Sequence, residues 1–261
     1  MIQQIVAANK PNASVKSNIR KNPSAHSLSG FTLVELLVTI SIIVVLAALI
    51  FFAIPRVGTA AGRANSTDNL HKLQLANGLY ASDNNGRYVS TFTQDSDGKT
   101  GGLWDRNSDF LDLYVGVSRP TSGKSQESRV SPNYLDSIAY KARASGYDTL
   151  KASYGMVSKE NYSSGNSDVD SGYRMAELTS PAQTAAFVTA VNWLVQYGGR
   201  FSWKGEEGKV NAPAIAYRHN GKALVAYYDG HVGEVSRKDI EGFDKRGGND
   251  NSFWRGNNGT P

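Results

Sequence analysis

At 261 residues and 40 % hydrophobic composition the chain can hold one or two domains around a real core. It has no cysteine, which excludes disulfides, thiol nucleophiles and Cys-ligated zinc together. Its net charge of +5 sits mostly in residues 1–30, where Lys10, Lys16, Arg20 and Lys21 stand without Asp or Glu; the rest holds 24 basic against 23 acidic residues (28 − 4 and 23 − 0), without the clustered footprint of a nucleic-acid binder.

After this basic leader comes an apolar run. From Leu36 to Ile54 the chain reads LLVTISIIVVLAALIFFAI with no charged residue, and FTLVE extends the run back to Phe31. As a helix, residues 31–54 would extend roughly 36 Å, enough for a hydrocarbon layer of about 30 Å with some tilt. Apolarity on every side argues against a buried core helix. Positive charge ahead of the span predicts a cytoplasmic N-terminus and an extracytoplasmic C-terminal part. An ordinary secretory signal is the competing reading, but the run is longer than its apolar region, and the Ala60 to Ala64 stretch lies beyond Pro55 and Arg56.

The segment SLSGFTLVELLVTI, Ser27 to Ile40, combines Gly30, Phe31, Thr32, the Leu-Val-Glu of Leu33 to Glu35 and the apolar continuation in one register. It resembles the cleavage and methylation signature of type IV prepilins and type II secretion pseudopilins. The resemblance implies cutting between Gly30 and Phe31 by a prepilin peptidase, N-methylation at Phe31, and assembly with sister subunits on a platform driven by an ATPase. It also implies an α+β, pilin-like fold, in which a long N-terminal helix packs on a C-terminal antiparallel β-sheet with loop-rich insertions. Residue chemistry adds separate reasons. A carboxylate at the edge of a membrane span is costly without a partner. Cleavage would create an amine at Phe31, four residues before Glu35 on the same helical face, giving this carboxylate a partner that the uncut chain lacks. The alternative is that Glu35 lies at the interfacial edge. Gly30, lacking a side chain, suits close approach to a peptidase.

Pro55 is expected to kink or interrupt the helix. Ala60, Ala64, Leu70, Leu73 and Tyr80 then recur at near-helical spacing, an amphipathic continuation over residues 55–85. Asn85-Gly86 is expected to stop it. The stretch Asn69 to Val89 resembles the end of a pilin's long helix.

Residues 86–261 read as a loop-rich extracytoplasmic domain. Its Ser-, Gly- and Asp-rich part over 90–180 lacks long periodic segments. A β-meander is expected at about 185–235, from AAFVTAVNW through to APAIAYRHNGKALVAYYDGHVGEV. There Asn220-Gly221 and Asp229-Gly230 stand between β-prone runs as hairpin turns. The interval from His219 to Asp229-Gly230 resembles a C-terminal motif of bacterial pilin-like proteins.

His219, Asp229 and His231 form a conceivable metal or hydrolase set, but turn geometry and packing explain these residues more simply. No nucleophile motif or phosphate loop accompanies them, so no catalytic residue is assigned and a non-enzymatic subunit is expected. Acidic clusters at Asp168, Asp170, Asp244 and Asp250 read first as solvated loops, lacking EF-hand spacing; resemblance to major pseudopilins makes calcium the ion they would otherwise hold. Trp193, Trp203 and Trp254 are read as packing residues before sugar or partner contacts. The alternative to a filament subunit is a membrane-tethered binding or surface protein that uses the processing signal alone.

Overall fold

The computed structural model describes residues 30–94, 100–117, 132–142, 153–159, 172–197, 203–205, 207, 214–245 and 252–256. The chain divides into two units, Met1–Phe51 and Phe52–Pro261.

Helix α1, Leu33–Asp83, begins in the first unit and ends in the second. Its first part, Leu33–Phe51, has a mean hydropathy of 2.9 and no buried residue, and among the described residues it is the one helix long and apolar enough to cross a membrane. Two polar side chains inside this stretch are satisfied locally: the Thr39 hydroxyl donates to the Leu36 carbonyl and Ser41 to Leu37. Neither hydroxyl would therefore enter lipid unpaired.

No break occurs at Pro55, because helix runs without interruption from Leu33 to Asp83. A proline removes one backbone donor, and long stretches of intact helix on both sides outweigh that loss. In the second unit α1 becomes one-sided. Ser66, Leu70, Leu73, Gln74, Asn77 and Ala81 are buried at intervals of three and four, while Leu75 and Leu79 stay exposed. The helix stops before Asn85, at φ 54°, and Gly86, at φ 73°, whose N–H caps the Ala81 carbonyl at 2.8 Å.

The second unit is an α+β structure built on a five-stranded sheet. Its strands are β3 (Tyr154–Val157), β4 (Ala185–Thr189), β5 (Leu194–Val195), β6 (Lys222–Tyr227) and β7 (Val232–Ser236), in the order β5-β3-β4-β6-β7. The purely antiparallel sheet expected from sequence is corrected to a mixed one, because β5 runs parallel to β3. After β4 the chain crosses over to the β3 edge instead of returning beside β4, so the three strands β4, β5 and β6 are not a simple meander. Ahead of this sheet, β1 (Phe92–Gln94) and β2 (Thr100–Leu103) form a separate two-stranded pair. A π-helical turn, Asp109–Val115, and α2, Ser137–Ala142, also lie in the part read as loop-rich.

Both faces of the sheet are covered. Alternation along β6 sends Leu224 and Ala226 to a cluster with Leu70, Leu73 and Ala76 of α1, and Ala223 and Val225 to a second cluster with Ile240, Phe253 and Trp254. Ile240 belongs to α3, Arg237–Lys245. A sheet buried on two sides explains why β4 and the centre of β6 read as continuous apolar runs rather than alternating ones.

Candidate functional site

The start of α1 is set by a reciprocal cap. Glu35 Oε2 accepts the Thr32 backbone N–H and the Thr32 hydroxyl, both at 2.9 Å, and the Thr32 hydroxyl accepts the Glu35 N–H at 3.2 Å. This is the Thr-x-x-Glu capping box, which satisfies donors that helix geometry otherwise leaves open. It corrects the expectation that Glu35 lacks a partner in the uncut chain. The signal for this cap lies in the spacing Thr32-Leu33-Val34-Glu35.

Phe31 is 78 % exposed immediately ahead of this cap. A Cβ placed on Gly30 would meet no atom within 4 Å, and its φ is not positive. Among the described residues nothing therefore requires glycine at position 30.

At the other end of the sequence, Asn220, at φ 54°, and Gly221, at φ 76°, form a two-residue turn between His219 and Lys222, which exchange backbone hydrogen bonds at 3.1 and 3.0 Å. Positive φ at both central residues matches strand twist, as tight hairpins require. Between β6 and β7 the loop is longer. Gly230, at φ 99°, donates to the Tyr227 carbonyl, and the Asp229 carboxylate accepts the His231 N–H at 3.1 Å.

The set His219, Asp229 and His231 is not assembled. The six-residue strand β6 separates His219 from Asp229 and His231 by roughly 20 Å. His231 is exposed, stacks on Tyr227 with ring centroids 4.3 Å apart, and holds Asp229 at 2.6 Å. His219 is buried with a different residue, Asp136, at 2.9 Å.

Around His219 lies a polar cluster that the sequence did not reveal. Asp136 caps α2, its Oδ1 accepting the Ile138 and Ala139 N–H groups at 2.9 and 3.1 Å, while its own N–H donates to Ser153 Oγ at 3.0 Å. Arg218, fully buried, makes a bidentate pair with Glu207 at 2.8 Å twice, and donates to the carbonyls of Ser153 at 3.1 Å and Ala190 at 2.9 Å. Burial alone would raise the Asp136 pKa, but the His219 hydrogen bond and the nearby Arg218 and His219 charges outweigh it and hold the carboxyl below its ordinary value. Burial pushes the neighbouring Tyr154 phenol far up, so it remains a neutral donor and acceptor. Among the described residues His219 Nδ1 has no hydrogen-bond partner, and the cluster ties the start of α2 to Ser153 and to the residues just before β6. Asp136 lies 83 positions from His219, and no local pattern announces such a pairing.

Of the proposed calcium ligands, Asp168, Asp170 and Asp250 lie outside the described residues, and Asp244 falls in α3 with its side chain outside the description. Among the described residues no group of three or more His, Asp or Glu side chains is placed to hold a metal. Trp254 is buried, and Trp193 and Trp203 pack half-buried against the core clusters.

Comparison with family models, with characterised proteins and with solved structures finds no match to this chain.

Proposed function

We propose that this chain is a pilin-like subunit of a type IV pilus or type II secretion pseudopilus, held in a membrane by α1 and processed between Gly30 and Phe31. The observation that carries the reading is the junction itself. Among the described residues nothing lies within 4 Å of a side chain placed at Gly30, and Phe31 is exposed. Directly after them begins a capped helix whose first part, Leu33–Phe51, is apolar and wholly exposed. Exposed apolar surface on this scale requires lipid or other helices around it. Both environments belong to a subunit stored in a membrane and then packed by its N-terminal helices. A prepilin peptidase, an assembly platform with its ATPase and sister subunits are the partners this reading requires. The chain's own task is structural, with the motor chemistry supplied by those partners.

Intact-mass measurement after co-expression with a prepilin peptidase tests the proposal. The product should begin at Phe31 and carry one methyl group, while Gly30→Leu should block cutting without changing the fold. A wild-type product still beginning upstream of Phe31 in the presence of active peptidase would reject the reading.

A further inference from the structure

Residues 132–142 form a strap against α1. They comprise a single 3-10 turn, Pro132–Tyr134, and the six-residue helix α2. Asn69 of α1 donates from Nδ2 to the Asn133 carbonyl at 3.1 Å, and Leu135 enters the core cluster that holds Leu70 and Leu73. A Cβ on Gly62 would come within 2.6 Å of the Ser137 hydroxyl, so the strap passes close over the helix there. Nucleation leaves isolated helices shorter than about 12–15 residues marginal, and α2 has half that length. It therefore depends on its cap and on what the cap is tied to.

Cap and tie are the same carboxylate. Asp136 Oδ1 accepts the Ile138 and Ala139 N–H groups, while Oδ2 meets His219 Nε2 at 2.9 Å. The groups facing it come from several elements. His219 and Arg218 stand just before β6, Arg218 is paired with Glu207, and β3 brings the Tyr154 phenol, to which α1 donates through the uncharged Asn69. Asp136, Glu207, Arg218 and His219 are all buried. Protonating Asp136 weakens the cap, because a neutral oxygen accepts less strongly than a charged one. It also leaves Arg218 and His219 with Glu207 alone as the carboxylate of the cluster. A proton taken up at His219 Nδ1 would find no acceptor among the described residues.

We infer that residues 132–142 are an acid-released strap, which lets go of α1 when Asp136 takes up a proton while the five-stranded sheet stays folded. Because one carboxylate both caps α2 and ties it to His219, the two attachments fail in the same step. The sheet has support of its own: the cluster on its other face, with Ile240, Phe253 and Trp254, includes no strap residue. Segments with few attachments open below the global unfolding free energy. The Asp136 carboxyl is held below its ordinary value, so the strap is fastened above the carboxylate range and freed as pH falls through the depressed value. Release exposes Leu135 and the Gly62 to Asn69 side of α1, a surface offered in acid only. This goes beyond the filament reading and does not depend on it.

Amide hydrogen exchange of the full chain in detergent micelles tests the strap, with intrinsic rates divided out at each pH. Between about pH 6 and about pH 3 the peptide over 132–142 should lose at least about tenfold in protection, while those over β4 and β6 keep theirs. Asp136→Asn retains the shape and a cap oxygen but cannot titrate, so its strap protection should be flat over the same range. The wild-type comparison of strap with strands stands even where that variant does not fold. Strap protection unchanged in acid, strands opening at the same pH as the strap, or the same acid step in Asp136→Asn would each overturn the inference.

Discussion

Arg218 and His219 are neighbours in sequence with separate buried partners, and the difference between them predicts how the fold responds to change. Arg218 is matched atom for atom by Glu207 and two carbonyls. Glu207→Ala would leave a buried guanidinium without its counter-charge, at a cost of about 3–5 kcal/mol in unfolding free energy, measurable by denaturant titration. Asp136 answers to pH instead. Its folded-state pKa lies below the unfolded one, so its contribution to stability is complete above the ordinary carboxylate range near about 4 and disappears as pH falls through the depressed value. Melting temperature measured against pH should therefore drop on the acid side for wild type, and Asp136→Asn should start lower and show a shallower acid slope. An unchanged slope in that variant would remove Asp136 from the account.

The strands show what makes sheet order harder to read than sheet existence. Hairpin dipeptides Asn220-Gly221 and Asp229-Gly230 and the alternation of β6 are local signals, and residues of this kind announce strands within a few positions. Nothing local marks that β5, two residues long, crosses to lie parallel to β3, because that choice is made by tertiary packing. The reason can be seen at Gly155, in β3. A Cβ there would come within 2.6 Å of the Asn192 carbonyl and 2.9 Å of the Ala190 and Val195 side chains. Glycine permits the turn between β4 and β5 to fold tightly over β3, so that β5 can pair on its far side. Gly155→Ala should cost about 1–3 kcal/mol through overpacking, read as a lowered denaturation midpoint, whereas alanine at the open Gly78 should not lower it. At the N-terminal end the apolar span was legible from composition alone. The cap at Thr32 is equally present in the sequence, as Thr and Glu three positions apart ahead of an apolar run.

As a whole molecule the chain presents two unlike surfaces. The first part of α1 exposes Leu, Ile and Val on every side, while the sheet of the second unit is covered on both faces by its own residues. Each unit should therefore fail independently. Val44→Arg, placed mid-span, adds an insertion penalty of about 2.5–3.5 kcal/mol. It should move protein out of the membrane fraction, while the unfolding transition of the Phe52–Pro261 unit stays where it was; a matching loss of that transition would show that the two are not separable. The capping box at Thr32 bears on the same separation. It closes the helix one residue inside the Gly30 to Phe31 bond, and the first helical hydrogen bond, from the Leu36 N–H to the Thr32 carbonyl, also lies wholly on the retained side. A cut at that bond would leave every backbone hydrogen bond of α1 in place. What it alters is electrical: a neutral amide becomes an ammonium beside a carboxylate already held in position, so the chain's charge is edited while its shape is kept.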